Sequence, residues 1–180
     1  MTIAYLGLGS NLGNREANLR MALSAMTRMC RLVAVSSLYE TAPVPEGQPP
    51  FYNAACAVET GLEPPQLLRF LKAIEEEVGR RPGAELNGPR PIDIDILLYG
   101  DATFENERIK IPHPRMTERP FVLIPLGEIA PDVPHPVFGK TVGELAKGAG
   151  TTGVRRIKEP DWEAVTTNET MASMRRGPAV

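Results

Sequence analysis

Cysteine, histidine and tryptophan are scarce in this sequence, and a long apolar run is missing from it. Its 180 residues contain two cysteines, two histidines and one tryptophan. Because Cys30 falls in a helix-like segment and Cys56 in a strand-like one, we expect buried free thiols in a reducing compartment rather than a disulfide framework. With two histidines and neither a C-x-x-C nor an H-E-x-x-H motif, the sequence does not favour a zinc site.

Charge and hydropathy argue against several other classes of protein. No stretch approaches the roughly 18 apolar residues of a membrane span, and the first residues lack the basic and apolar regions of a signal peptide. The formal net charge is −2, with 23% charged residues, so no basic field favours nucleic acid or an anionic membrane. We therefore expect a cytoplasmic protein with no nucleic-acid or membrane partner, and the sequence leaves protein partners unknown.

The apolar periodicity alternates between strand and helix along the first hundred residues. It predicts strands near residues 2–8, 31–39, 51–60 and 92–99, and helices over 14–29 and 64–78. Elements in the order β-α-β-β-α-β predict an α+β fold of the ferredoxin-like type, an antiparallel-rich sheet flanked by helices that lie on one face. Farther along, we expect a hairpin over 100–111 and helices near 121–129 and 141–147.

The last part of the chain gives a weaker pattern. Beyond Gly148 there is little apolar periodicity, and Trp162 stands nearly alone. We expect one domain over residues 1–147 and a C-terminal tail, residues 148–180, that is disordered or loosely packed.

Two aspartates lie one residue apart inside an apolar run, and they are the most informative feature of the chain. Residues 92–99 read Ile-Asp-Ile-Asp-Ile-Leu-Leu-Tyr, and in a strand such alternation places Asp93 and Asp95 on the same face. The two carboxylates then lie about 7 Å apart and repel each other unless a positive group is near. A hard cation such as Mg²⁺ would supply that charge, although a strand with a solvated polar face gives the same pattern.

Basic residues flank this strand on both sides. A loop rich in glycine and proline precedes it and carries Arg80, Arg81 and Arg90; the group that follows is Arg108, Lys110, His113, Arg115 and Arg119. Each arginine alone could be a solvated surface residue. Acidic residues that hold a metal, with basic residues on adjacent mobile segments, are typical of phosphoryl transfer, in which positioning and charge stabilisation dominate.

Two glycine-containing segments resemble nucleotide-binding motifs, but neither matches its motif completely. Gly7 and Gly9 follow a strand, but Gly13 falls one position too late for the dinucleotide fingerprint, so we expect a tight turn before a capped helix. The segment Gly139–Thr141 resembles the end of a P-loop, but Pro134 stands where the first glycine is required.

Phe51 and Asn53 share one face of the strand that follows the proline-rich segment 41–50. An aromatic ring beside an amide can hold a flat heterocycle through stacking and paired hydrogen bonds. Equally, Phe51 could belong to the core and Asn53 to a turn, and the residues alone leave both interpretations open.

Taken together, five segments resemble the 6-hydroxymethyl-7,8-dihydropterin pyrophosphokinase family over about residues 3–145. They are Tyr5–Gly13, Ser37–Pro43, Gln48–Asn53, Gly88–Asp95 and Ile111–Met116. The resemblance implies a folate-pathway enzyme that transfers the β,γ-pyrophosphoryl group of its co-substrate ATP to the hydroxymethyl group of a reduced pterin and releases AMP. It also implies two Mg²⁺ ions, and three loops near 10–15, 43–50 and 80–90 that close over the substrates.

The resemblance further implies roles for individual residues. Asp93 and Asp95 would hold the metal ions, and Arg80, Arg90 and Asp95 would be catalytic. The pterin pocket would consist of Thr41, Val44, Phe51, Asn53 and Phe121, with the two phenylalanines on either side of the ring. The ATP site would consist of Glu75, Ile96, Arg108, Lys110, His113 and Arg119.

The chain departs from the family pattern in the third loop. Many members have a tryptophan where this sequence has Asn87 and a basic residue where it has Pro82, so we expect the loop to seal the pterin less tightly or to cover it with a different residue. A module that binds pterin or nucleotide without turnover is the alternative, which the intact metal pair disfavours. A nucleic-acid-binding domain of the same fold is disfavoured by the negative net charge.

Overall fold

A six-stranded antiparallel sheet forms the centre of the protein. The computed structural model describes residues 1–163, and the sheet order is β5-β1-β4-β3-β8, with β2 also paired to β4. The strands are β1 (Thr2–Ser10), β2 (Arg31–Val35), β3 (Leu38–Thr41), β4 (Phe51–Thr60), β5 (Asp93–Tyr99) and β8 (Val154–Lys158). A separate hairpin joins β6 (Phe104–Glu105) to β7 (Lys110–Ile111). This order is the ferredoxin-like arrangement, so the predicted α+β fold is confirmed.

Four α-helices accompany the sheet: α1 (Arg15–Met26), α2 (Pro64–Val78), α3 (Pro120–Ile129) and α4 (Val142–Ala149). A short 3-10 helix, Met116–Glu118, precedes α3. The capping follows the sequence, since the Asn14 side chain accepts from the main-chain N–H of Ala17 at the start of α1. Thr141 and Glu144 cap α4 reciprocally. No helix within residues 1–163 is long and apolar enough to cross a membrane.

The helices pack on both faces of the sheet, so the expectation of a single covered face is wrong. Helices α1 and α2 bury Leu19 and Leu71 against one face, where Ile94 also lies. Helices α3 and α4 cover the other face, where Leu123 packs with Leu97. Because strand side chains alternate between faces, the isoleucines of β5 belong to the first core and its aspartates to the second face.

The predicted strand over residues 31–39 is two strands, separated by the fully buried Ser36 and Ser37. The Ser36 hydroxyl accepts from the main-chain N–H of Ala55 and donates to the carbonyl of Ser37. A side-chain hydroxyl therefore replaces a regular ladder bond at this point, and the chain shifts its register between β2 and β3.

The expectation of a loosely packed tail beyond residue 147 is wrong for residues 154–162. Strand β8 extends the sheet by pairing with β3, and Trp162 is only 4% exposed. The Trp162 indole N–H donates to the carbonyl of Ser36 at 2.9 Å, and Arg20 donates to the carbonyl of Trp162 at 2.7 Å. This segment thus belongs to the fold, whereas the rest of the predicted tail, residues 164–180, lies outside the described residues.

Candidate active site

A cavity of about 370 Å³ lies on the face of the sheet that carries the two aspartates. Its floor is the end of β1, and its walls come from β3, β4, β5, the loop 79–92 and the segment from His113 to α3. The predicted site residues that line it are Thr41, Val44, Phe51, Asn53, Arg90, Asp93, Asp95, His113, Arg119 and Phe121. The fold therefore gathers at one place ten residues that are distant in sequence.

The floor of the cavity depends on a glycine. A Cβ atom on Gly9 would lie 2.8 Å from Oδ1 of Asn53 and 3.4 Å from Cδ1 of Phe51, so no larger residue fits without moving them. Gly7 and Gly9 both lie in β1, and the predicted tight turn before a capped helix is confirmed at Gly13, whose φ is +72°, directly before the N-cap Asn14. A glycine inside a strand is itself a sign of close approach by another group.

Asp93 and Asp95 lie two residues apart on the same face of β5, and both line the cavity. They pair with Gly9 and Gly7 of β1, respectively. Burial, with the negative charge of Asp93 as the second cause, raises the pKa of Asp95 to about 7, against the opposing charges of Lys72 and Arg119. The Asp93 carboxylate accepts hydrogen bonds from Arg80 at 2.9 Å and Arg90 at 3.5 Å. Asp93 is therefore bonded directly to two arginines, whereas Lys72 and Arg119 act on Asp95 through their charge.

This donor set fits a hard divalent cation. Carboxylate oxygens are the ligands that Mg²⁺ prefers, and the protein usually supplies only one or two of them, with water and phosphate completing the shell. Nowhere in the described part of the chain do three or more acidic, histidine or cysteine side chains cluster as a metal site. The pair fits Mg²⁺ bound together with phosphate rather than a cation held in a cage of protein ligands.

The five residues predicted for the pterin all reach the cavity, from β3, β4, α3 and the loop 42–50. The Asn53 side chain donates from Nδ2 to Oγ1 of Thr41 at 2.5 Å, and both residues are buried. This bond fixes the amide so that its oxygen lies above Gly9. Phe51 and Asn53 both line the cavity, and Asn53 lies inside β4, so the interpretation of Asn53 as a turn residue is wrong; pterin binding by the two residues stays a prediction.

His113 and Arg119 bring basic groups to the opposite wall. The main-chain N–H of Arg115 donates to Nδ1 of His113 at 3.2 Å, so the neutral imidazole carries its proton on Nε2. Burial, reinforced by the charge of Arg119, lowers the pKa of His113. Burial also lowers the pKa of Arg119. The wall therefore offers a neutral imidazole donor beside a partly desolvated guanidinium.

Four of the residues predicted for ATP do not line this cavity. Ile96 is 4% exposed and packs in the core on the other face of the sheet. Arg108 and Lys110 lie exposed at the β6–β7 hairpin. Glu75 is buried, accepting from the main-chain N–H of Ile94 at 2.8 Å. Their contact with a nucleotide stays a prediction.

Arg80, predicted to be catalytic, does not line the cavity either, but it borders the site. Its Nη1 lies 3.2 Å from Oε2 of Glu75 and 2.9 Å from Oδ1 of Asp93. A smaller cavity of about 220 Å³ beside it contains both Arg80 and Glu75. Arg80 thus connects this second cavity to Asp93 on β5.

Sequence reasoning missed Asn11, which ties the three loops around the cavity together. Asn11 and Arg90 exchange two hydrogen bonds, from Asn11 N to Arg90 O and from Arg90 N to Asn11 Oδ1. The Asn11 amide also donates to Gln48 Oε1 and Pro49 O at 3.2 Å, and Gln48 donates to the carbonyl of Asn87 at 2.6 Å. The burial of the polar Asn11, which is 2% exposed, indicates its structural role, but only the folded chain shows it. In the sequence, the one signal is that Asn11 lies at the end of an apolar strand.

Comparison with known proteins places this geometry in a family. Residues 5–131 match the family described as 7,8-dihydro-6-hydroxymethylpterin-pyrophosphokinase (HPPK). The chain is 46% identical over 134 residues to the 2-amino-4-hydroxy-6-hydroxymethyldihydropteridine pyrophosphokinase of Bacillus subtilis, covering 73% of this chain and 80% of that protein. It is 42% identical over 156 residues to the enzyme of the same name from Pseudomonas aeruginosa, covering 85% of this chain and 95% of that protein.

Longer proteins contain a similar part. The chain is 39% identical over 168 residues to the folic acid synthesis protein FOL1 of Dictyostelium discoideum, covering 92% of this chain but 25% of that protein. It spans a similarly small share, 21%, of the corresponding Schizosaccharomyces pombe protein. Among solved structures, wild-type HPPK-DHPS of Plasmodium falciparum is similar in fold, with a TM-score of 0.71, 18% identity, and coverage of 96% of this chain and 55% of that chain.

Proposed function

The chain belongs to the 7,8-dihydro-6-hydroxymethylpterin-pyrophosphokinase family, and from that premise we propose that it is a pyrophosphokinase of folate biosynthesis. It transfers the β,γ-pyrophosphoryl group of ATP to the hydroxymethyl group of 6-hydroxymethyl-7,8-dihydropterin and releases AMP. The observation that carries the proposal is one cavity in which Asp93 and Asp95 face the same space as Phe51, Asn53 and Arg90.

The pterin binds at the β3–β4 side of the cavity. Phe51 and Phe121 approach from different elements and supply two aromatic faces for a flat ring. Asn53 is held by Thr41, so its amide offers a fixed edge for the donors and acceptors of the pterin. A preorganised amide of this kind orients the ring and, with it, the hydroxymethyl group.

The triphosphate binds at the β5 side, where the charges are. When bound, Mg²⁺ on Asp93 and Asp95 supplies positive charge that relieves the repulsion of the two carboxylates and neutralises phosphate oxygens. Arg90 and Arg119 line the same space and offer planar, permanently charged groups for phosphate oxygens. The Nε2–H of His113 adds a neutral donor.

In the reaction, the hydroxymethyl oxygen attacks the β-phosphorus, and the bond from that phosphorus to the oxygen shared with the α-phosphorus breaks. The hydroxyl proton passes to a water molecule or a phosphate oxygen in the cavity, because a bound cation would keep Asp95 charged and would lower the raised pKa of about 7 that this residue has in the metal-free site. Arg80 and Arg90, on the Gly/Pro-rich loop, stabilise charge on the transferring group. The residues provide position and charge without a covalent intermediate on the protein.

The loops that surround the cavity exclude water from the site when they close. Asn11 and Gln48 already join the segments 10–14, 42–50 and 79–92 by hydrogen bonds. Movement of one loop is therefore transmitted to the others, and closure over both substrates would exclude water from the transferring group.

The direct test is a reaction mixture of protein, ATP, Mg²⁺ and reduced hydroxymethylpterin, with AMP measured by chromatography. We expect AMP to form only when all four are present, and omission of Mg²⁺ or addition of EDTA to stop its release. ADP as the nucleotide product, or AMP formed equally well without the pterin, would contradict the proposal.

A further inference from the structure

Arg15 and Glu40 form a charged pair near the cavity that the proposed mechanism does not use. Arg15 is the first residue of α1, and Glu40 lies in β3. Nη1 of Arg15 lies 3.3 Å from Oε2 of Glu40 and donates to the carbonyl oxygen of Pro50 at 2.8 Å. The guanidinium carbon of Arg15 lies 3.7 Å from the centre of the Tyr52 ring. Arg15 therefore contacts a carboxylate, a main-chain carbonyl and an aromatic ring at the end of the proline-rich segment 41–50.

These contacts lie behind the cavity. Tyr52 packs with the core under α1 and α2, whereas its neighbours Phe51 and Asn53 line the cavity, as alternation along β4 requires. In the ladder between β3 and β4, Glu40 faces Tyr52, and the adjacent pairs are Thr41 with Phe51 and Tyr39 with Asn53. Glu40 and Tyr52 are thus next to both Phe51 and Asn53 in the ladder, and these are two of the residues that would contact the pterin.

We propose that Arg15 and Glu40 are positioning residues for the pterin pocket, a role that rests on the proposed function. They fix the carbonyl of Pro50 and the ring of Tyr52, and so hold the first residues of β4 in register with β3. Phe51 is the first residue of β4 and directly follows the loop, so it needs this support more than a residue inside the strand. With the pair in place, Phe51 and Asn53 face the pterin in one arrangement.

The burial of the pair gives it more strength than an ordinary surface ion pair. The side chains of Arg15 and Glu40 are 25% and 27% exposed, so solvent screens them only partly. Arg15 also donates a charge-assisted bond to a carbonyl and stacks on an aromatic ring, which a lysine could not reproduce in the same way. Capping of α1 by Asn14 fixes the main chain from which Arg15 extends.

The C-terminal strand anchors the pair from the other side. Nη2 of Arg155 in β8 lies 3.0 Å from Oε1 of Glu40, and the main-chain N–H of Ala42 donates to the carbonyl of Gly153 at 3.0 Å. Both ends of the loop 42–50 are therefore fixed, the first by β8 and the second by Arg15. Residues 153–155 therefore support the pterin pocket from outside the cavity, although they lie beyond residues 5–131, which match the family.

The chain offers a matched control in Glu16. Like Glu40, it pairs with one arginine of α1, Arg20 at 2.5 Å, and with one basic residue of β8, Lys158 at 2.7 Å. Unlike Glu40, it lies in neither β3 nor β4, and the arginine that it pairs with, Arg20, donates to the carbonyl of Trp162 rather than to that of Pro50. Glu16→Gln removes a comparable charge from the same helix–strand junction and leaves the end of the loop untouched.

The test is calorimetric titration of reduced hydroxymethylpterin into the 180-residue protein with saturating Mg²⁺ and a non-hydrolysable ATP analogue. We expect Arg15→Ala to weaken pterin binding about tenfold, the scale of one charge-assisted hydrogen bond. Glu40→Gln should weaken it about threefold, and Arg15→Lys should lie between Arg15→Ala and wild type. Glu16→Gln should stay within about twofold, as should the affinity of every variant for the ATP analogue alone.

Amide hydrogen exchange in the ligand-free protein gives a second readout. Exchange at Phe51, Tyr52 and Asn53 should be faster in Arg15→Ala than in wild type and unchanged in Glu16→Gln. Unchanged pterin affinity in Arg15→Ala, or equal losses for pterin and nucleotide, would overturn the positioning role. Failure of the proposed function would appear differently, as a wild-type protein that binds no pterin, and the exchange data would still show whether Arg15 holds the strand.

Discussion

Arg80 binds Asp93, the first of the two aspartates on β5, at 2.9 Å, while Glu75 holds the same guanidinium at 3.2 Å. Glu75 is 2% exposed and is itself fixed by the main-chain N–H of Ile94. Arg80 must therefore leave Asp93 before that oxygen can bind a cation, and Glu75 keeps the arginine nearby. An arginine released in this way becomes available to phosphate when the triphosphate arrives with its metal ion.

This arrangement predicts a kinetic rather than a binding defect for the loop arginines. Arg80→Ala and Arg90→Ala should bind a non-hydrolysable ATP analogue within a few-fold of wild type, because their phosphate contacts form mainly in the closed state. Their kcat should fall by about two or more orders of magnitude. Single-turnover kinetics beside calorimetry measures both quantities.

Arg81 provides the control on the same loop, since it is exposed and does not line the main cavity. Arg81→Ala should keep near-normal kcat. If ATP affinity in Arg80→Ala and Arg90→Ala fell in proportion to kcat, the two arginines would be static binding residues.

The raised pKa of Asp95 predicts a pH-dependent stability. Its pKa is raised from 3.8 to about 7 in the folded protein, so folding favours the protonated form. The associated stability is present below the unfolded pKa and is lost as the pH rises from about 4 to about 7. Asp95→Asn removes the buried charge, so its stability relative to wild type should rise by about 2–3 kcal/mol between pH 5 and pH 8.

Urea unfolding of metal-free protein in EDTA at the two pH values measures this difference. Asp101→Asn, at an exposed turn, serves as the control and should show no comparable change. A stability difference between Asp95→Asn and wild type that is the same at both pH values would show that Asp95 titrates normally.

Phe51 should matter for the pterin and not for the nucleotide. Phe51→Ala should weaken pterin binding by roughly 1–3 kcal/mol, the scale of stacking between a base and an aromatic ring. Binding of the ATP analogue in the absence of pterin should be little changed. Phe138→Ala removes an exposed aromatic residue that does not line the cavity and should leave both affinities intact. Equal losses for both ligands in Phe51→Ala would identify a core residue instead.

The two glycines of β1 make a matched pair for the cavity floor. A Cβ on Gly9 would lie 2.8 Å from Oδ1 of Asn53, whereas one on Gly7 would lie 3.4 Å from the side chain of Leu97, an ordinary contact. Gly9→Ala should therefore weaken pterin binding at least about tenfold, on the scale of one misplaced hydrogen-bonding group. Gly7→Ala should change it far less. Equal pterin affinities in the two variants, measured by calorimetry, would show that Asn53 does not contribute to pterin binding.

Local sequence patterns predicted the central elements well. Alternation over residues 92–99 placed Asp93 and Asp95 on one face because strand geometry has a fixed period of two. The order of strands and helices then led to the ferredoxin-like sheet, since few topologies suit that order. Both the alternation along a strand and the order of the elements depend on residues that are neighbours in the chain, so the sequence shows them directly.

Contacts between distant segments were not visible in the same way. Strand β8 has weak periodicity because it joins the edge of the sheet and only Val154 and Ile157 turn inward, both half-buried. Trp162 owes its burial to Ser36 and Arg20, which are more than 120 residues away. Asn11 likewise gains its importance from loops that approach it only in the folded chain.

The central claim is that the cavity transfers a pyrophosphoryl group with the help of the aspartate pair. Phosphorus NMR and mass spectrometry of the products, with wild type and the variants Asp93→Ala and Asp95→Ala, test it most directly. Wild type should yield one pterin diphosphate for each AMP, and both variants should remain folded with turnover abolished. Asp95→Ala removes a buried repelling charge, and Asp93→Ala loses only partly exposed ion pairs with Arg80 and Arg90. A pterin monophosphate with ADP, or near-normal diphosphate formation by either variant, would contradict the account.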